Sequence, residues 1–212
     1  MRKHSLYSIL LIAGLAAWGG AASAHAQTDV ALSLYGAFSQ KTTANGTIQS
    51  PSNAAGGMVE LRHISNPLVG YEATYSYNRD NQKYSSTVAT GTCPIGVNPP
   101  CPPTAASVKA NAHEVSADWV VSFGVANIRP FALAGVGVLL NEPKSGQSNT
   151  TSETKPVFLY GAGLDWGLLP HLGLRFQYRG NLYKAPNLTR LFTSTSAFTQ
   201  TAEPMIGAYF RF

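Results

Sequence analysis

From residue 28 onward, runs of alternating apolar and polar residues are separated by segments rich in turn formers. Eight runs are legible, over 30–39, 55–64, 68–79, 108–123, 129–140, 156–166, 172–181 and 202–212. They are rich in β-branched, aromatic or glycine residues, and most repeat with a period of two, the repeat of a strand. The connections alternate in length. Ser65-Asn66-Pro67, 124–128 and 167–171 are short, whereas 40–54, 80–107, 141–155 and 182–201 are long and polar. Part of 84–107 is expected to continue its flanking strands as a hairpin. If the strands go up and down, every short turn falls at one end and every long loop at the other.

Taken one parity at a time, the runs present two different faces. One holds Val59 and Leu61; Val69, Tyr71, Ala73, Tyr75 and Tyr77; and Val115, Ala117, Trp119, Val121 and Phe123. It continues in Phe158, Tyr160, Ala162, Leu164 and Trp166, in Leu172, Leu174, Phe176 and Tyr178, and in Ile206, Ala208, Phe210 and Phe212. None of these is charged. The opposite parity holds Glu60, Arg62, Glu72, Glu114, Asp118, Asp165, Arg175, Arg179, Glu203 and Arg211. A sandwich in water also alternates, but its polar face meets solvent and needs no charges that can pair. The pattern predicts an all-β fold, an eight-stranded antiparallel up-and-down transmembrane β-barrel. Its apolar face meets lipid, where a charge costs about 2–4 kcal/mol at the midplane. The ionisable residues point inward, where they are tolerated if paired and hydrogen-bonded, and are expected to form a structural ion-pair network. Tyr77, Trp119, Phe123, Phe131, Trp166 and Tyr178 are expected in interfacial girdles. The run 129–140 is apolar on both parities, which leaves its register open, and 30–39 carries no charge.

The N-terminus has a different pattern. Arg2, Lys3 and His4 precede an apolar run from Leu6 to Ala24 that ends in Ala24-His25-Ala26. A positive region, an apolar core and small residues before a cleavage point predict a removed signal peptide over 1–26, leaving one domain over 27–212. Without Arg2 and Lys3 the formal charge of +5 falls to +3. The remaining basic residues are scattered, which argues against nucleic acid. No stretch after residue 26 is long and apolar enough for a spanning helix. Cys93 and Cys101, in CPIGVNPPCPP, are expected to form a disulfide across a short loop of an exported protein. A metal site would need further ligands nearby, so neither a metal nor a cofactor is expected.

Residues 161–179, GAGLDWGLLPHLGLRFQYR, resemble a hairpin of the small OmpA-like and OmpX-like outer-membrane barrels. The matching positions are Gly161, Gly163, Asp165, Trp166, Gly173, Arg175, Tyr178 and Arg179, and the segment from Arg129 to Gly137 resembles the strand before it. The final IGAYFRF is similar to the terminal-strand signal that outer-membrane assembly machinery reads, with Phe210 and Phe212 in alternation with Ala208 and Ile206. The resemblance implies the bacterial outer membrane, contact with its lipid and lipopolysaccharide, and both termini on the periplasmic side. It implies no single function, because such barrels host adhesins, structural anchors and enzymes. With Phe212 last, no peptidoglycan-binding domain is expected to follow.

An eight-stranded barrel is just wide enough for side chains to fill it, so the inward carboxylates are expected to pack rather than to catalyse. Glycine pairs at 135–137 and 161–163 precede no helix and are packing glycines, not phosphate loops. His113 is the one outward histidine expected near the long-loop rim, but its nearest downstream serine, Ser116, has the opposite parity. The expected function is therefore non-enzymatic, a structural or surface-interaction barrel whose long loops carry recognition of an unnamed ligand. A narrow ion or small-solute channel and an outer-leaflet lipid-modifying enzyme centred on His113 are the alternatives.

Overall fold

The computed structural model describes residues 27–66, 68–87 and 105–212. The expected signal peptide and the Cys93–Cys101 bridge lie outside the described residues. Ten strands follow one another: β1 (Gln27–Ser39), β2 (Thr42–Ala44), β3 (Thr47–Pro51), β4 (Ala54–Ile64), β5 (Val69–Ser86), β6 (Ala105–Ser122), β7 (Ile128–Pro143), β8 (Glu153–Gly167), β9 (Leu172–Lys184) and β10 (Phe198–Arg211). All but β2 and β3 form one closed antiparallel ring. β4 through β10 pair in sequence, and β1 closes the circle between β4 and β10. Closure leaves no unpaired edge, the condition for a sheet to span a bilayer.

Parity sets the two surfaces. Leu32, Leu34, Trp119, Val136 and Ile206 are each more than half exposed on the outside, while Glu60, Arg62, Arg175 and Arg179 are fully buried inside. The register of β7 is also defined. Phe131, Leu133 and Leu139 point inward, and Ala132, Ala134, Val136 and Val138 point outward. Phe131 is therefore not a girdle residue. It is only 5% exposed, and its ring lies over Gly163 of the neighbouring strand, where a β-carbon would stand 2.4 Å from the ring. The missing side chain is what admits the ring.

The strands outgrow a membrane. A spanning strand needs about 9–11 residues, but β5 and β6 have 18 each and β7 has 16. The excess lies at the long-loop end. There β3 adds to the edge of β5, pairing Thr47 with Ser86 and Gln49 with Tyr84. β2 and β3 form a hairpin within a segment read from sequence as loop. Its turn is Asn45-Gly46, both at positive φ, the pair favoured in two-residue hairpin turns.

Candidate functional site

The short-turn half of the lumen is filled by an ionic cluster. Arg175 on β9 reaches Asp165 Oδ1 through Nε at 2.8 Å, Asp29 Oδ1 through Nη2 at 2.8 Å and Glu60 Oε2 through Nη1 at 2.9 Å. Arg62 on β4 donates to Glu72 Oε2 from Nε at 2.7 Å and to Asp165 Oδ2 from Nη1 at 3.3 Å, with its guanidinium 4.0 Å from the Phe131 ring centre. One step towards the long loops, Arg179 donates to Asp118 Oδ2 at 2.9 Å and to Ser116 Oγ at 3.0 Å. Each guanidinium has several acceptors from different strands, the arrangement that lets a buried charge be held rather than expelled.

Three residues assigned to this network from sequence stand apart from it. Arg211 lies at the short-turn mouth, partly exposed and stacked at 5.1 Å on Tyr209, with no ion pair among the described residues. Glu114 and Glu203 are buried but also form no ion pair among the described residues. They line a polar cavity in the long-loop half of the lumen. Asp29 also joins the cluster, one residue before the first run legible in the sequence.

Above the cavity, separate segments pack into a cap. Tyr84 donates from Oη to Pro186 O at 3.1 Å and accepts from Leu188 N at 2.9 Å, and its ring stacks on Phe192. Gln49 of β3 donates to the same Pro186 carbonyl at 2.7 Å and to Gln82 Oε1 at 3.0 Å. Thr42 meets Thr195 at 3.2 Å, and Thr151 N donates to Leu188 O at 3.1 Å. The loop that follows β9 is thereby tied to β2, β3, β5 and the loop that follows β7. On the outer wall beside this cap, the exposed cations Arg79, Lys83, Lys109 and Lys144 share one patch of β5, β6 and the end of β7. Asn81 faces Lys109 in register, and Lys144 N donates to Lys109 O at 2.9 Å. Glu142 is an acidic residue beside them, paired with Asn111 two pairs further down.

His113 Nδ1 pairs with Tyr75 Oη at 2.9 Å and its ring packs on Tyr77. Ser116 points into the lumen, so the two form no dyad. Among the described residues no three His, Cys, Asp or Glu side chains gather as a metal cluster.

A closed antiparallel ring, apolar outside and ionic inside, defines a membrane-spanning β-barrel of the bacterial outer membrane. The chain belongs to the family described as the outer membrane protein beta-barrel domain, whose model matches residues 8–202. Among solved structures it is similar to the outer membrane protein OprG of Pseudomonas aeruginosa, with a TM-score of 0.60 and 9% identity over 89% of this chain and 97% of that one. It is also similar to Ail, the attachment invasion locus protein of Yersinia pestis, in complex with the heparin analogue sucrose octasulfate (TM-score 0.52, 17% identity, 89% and 99% covered). Neisserial surface protein A is a third, with a TM-score of 0.52 and 13% identity over 89% and 99%. At these identities the likeness concerns the fold. No curated protein matches the chain in sequence.

Proposed function

We propose that this protein is a non-enzymatic interaction barrel, whose lipid-embedded ring holds up an ordered extracellular platform that binds anionic partners. The observation that carries this reading is the cap. Loops with no task beyond linking strands have no need to bury Tyr84 and Leu188 or to share Pro186 between two donors. An ordered surface loses less entropy on binding than a floppy one. The Arg79, Lys83, Lys109 and Lys144 patch gives that surface its chemistry, which suits sulfated or phosphorylated glycans. The sulfated ligand of Ail is a precedent for the ligand class on this fold.

Several further parts belong to the same proposal. Residues 1–26 are removed on export, Cys93 and Cys101 staple the loop after β5, and the assembly machinery reads the last strand through Phe210 and Phe212. The short turns and both termini face the periplasm, as in other barrels of this kind, and lipopolysaccharide surrounds the outer rim.

Sedimentation of protein-bearing vesicles with fluorescent heparin tests the binding role. Saturable binding that weakens steeply between low and high salt is expected, and Lys83→Glu/Lys109→Glu/Lys144→Glu should reduce it at least about tenfold. Equal binding by the charge-reversed and natural proteins would overturn the reading.

A further inference from the structure

The cavity in the long-loop half of the lumen holds two glutamates that no ion pair among the described residues engages. It is small, about 30 Å³, where a single buried water needs about 10–15 Å³. Glu114 and Glu203 enter it from β6 and β10, each 3% exposed. The Nη1 and Nη2 groups of Arg179 are taken up by Asp118, Ser116 and Thr74, while its Nε has no partner. Asn181, 2% exposed, donates from Nδ2 to Glu114 Oε2 at 2.9 Å. That leaves Glu114 Oε1, Glu203 Oε2 and Asn181 Oδ1 without a hydrogen-bond partner, and the Asn141 amide nitrogen free on the same wall. Orphaned acceptors at this depth are costly, and an unpaired carboxylate is costlier still.

We propose that this cavity binds a divalent cation of the calcium class through Glu114, Glu203 and Asn181 Oδ1. Every named donor is oxygen, as hard cations require, and calcium tolerates the irregular geometry of a carboxylate, amide and hydroxyl set. The two carboxylate ligands, Glu114 and Glu203, match the charge of a divalent ion rather than a monovalent one, with Asp80 further along the wall. Imidazole and thiolate, the ligands of softer metals, are absent from its lining. Hydroxyls of Ser76 and Thr201 on the wall, with water, complete the shell. The wall of the cavity is also bonded to the cap. Asp80, on the same wall, accepts from Gln82, which accepts from Gln49, which donates to Pro186.

Terbium(III) luminescence tests the site, with residues 27–212 folded in detergent after EDTA dialysis. Tyr183 lines the cavity and would sensitise the ion. One terbium per chain, displaced by calcium and far less by magnesium, is the expected result, together with a calcium-dependent rise in thermal midpoint. Glu114→Gln/Glu203→Gln keeps the shapes and removes both charges, so it should bind at least tenfold more weakly. In EDTA its midpoint should equal or exceed that of the natural protein. Asn181→Ala, which spares both carboxylates, should weaken binding several-fold and serves if the double variant does not fold. Glu142→Gln, on the exposed wall, should change nothing. A terbium response equal in the natural protein and the Glu114/Glu203 variant, or no saturable response from the folded natural protein, would overturn the proposal.

Discussion

Arg175 bridges Asp29 of β1, Glu60 of β4 and Asp165 of β8, so one side chain holds acceptors from three strands. Removing one partner from a buried ionic cluster leaves charges with neither water nor counter-ion. Arg175→Met is therefore expected to cost about 3–5 kcal/mol, read by urea unfolding in detergent, and unchanged stability would contradict the assigned role. Gly173 makes a steric prediction of the same kind. A β-carbon there would stand 2.4 Å from the Tyr209 ring and 2.5 Å from the Trp166 carbonyl. Gly173→Val should lower stability by about 1–3 kcal/mol through overpacking, measured in the same way. At this scale, the facing of Glu60, Arg62, Glu72 and Arg175 was legible because a charge on a barrel wall has one tolerable side. The placement of Phe131 was not, since both parities of its run are apolar. Glycine 163 on the next strand and the guanidinium of Arg62 decide it, and neither is local in sequence.

The strands themselves were readable from period two and from the alternation of short and long connections. The cap was not. Tyr84, Leu188 and Phe192 lie in largely polar segments with no period-two repeat to mark them, and they meet only after the ring closes. The β2–β3 hairpin did carry a local signal, Asn45-Gly46, which the polar composition around it obscured. The cap predicts that Tyr84→Ala will free the loop after β9 without opening the barrel. Trypsin should then cut after the exposed Arg190 much faster, while gel mobility of the unboiled protein stays that of the folded form. Unchanged cleavage would contradict the packing. Asp80, beyond the apolar belt, adds a pH dependence. Burial pushes its carboxyl up to about 6 from 3.8, against the hydrogen bond from Gln82; Glu114 and Glu203 face the same cavity. The folded form holds the proton more tightly than the unfolded chain, so Asp80 lowers stability as pH rises from about 4 to about 6. With EDTA present, Asp80→Asn should flatten that part of the stability profile, and an unaltered slope would refute the assignment.

Across the whole molecule, three zones of different chemistry are stacked along the barrel axis. An ionic core fills the short-turn half, a small acidic cavity follows it, and the cap with its cationic wall covers the far end. On the proposed function, this order gives the lumen a structural part and the outside recognition. It requires that solutes not pass, because Arg62, Arg175 and Arg179 with their carboxylates occupy the cross-section that a pore would need. Planar-bilayer recording on protein shown by its gel mobility to be folded tests this most directly. The current is expected to stay at baseline at neutral pH under applied voltage. Steady, reproducible conductance steps from the folded protein would contradict the account and return the lumen, rather than the surface, to the centre of its function.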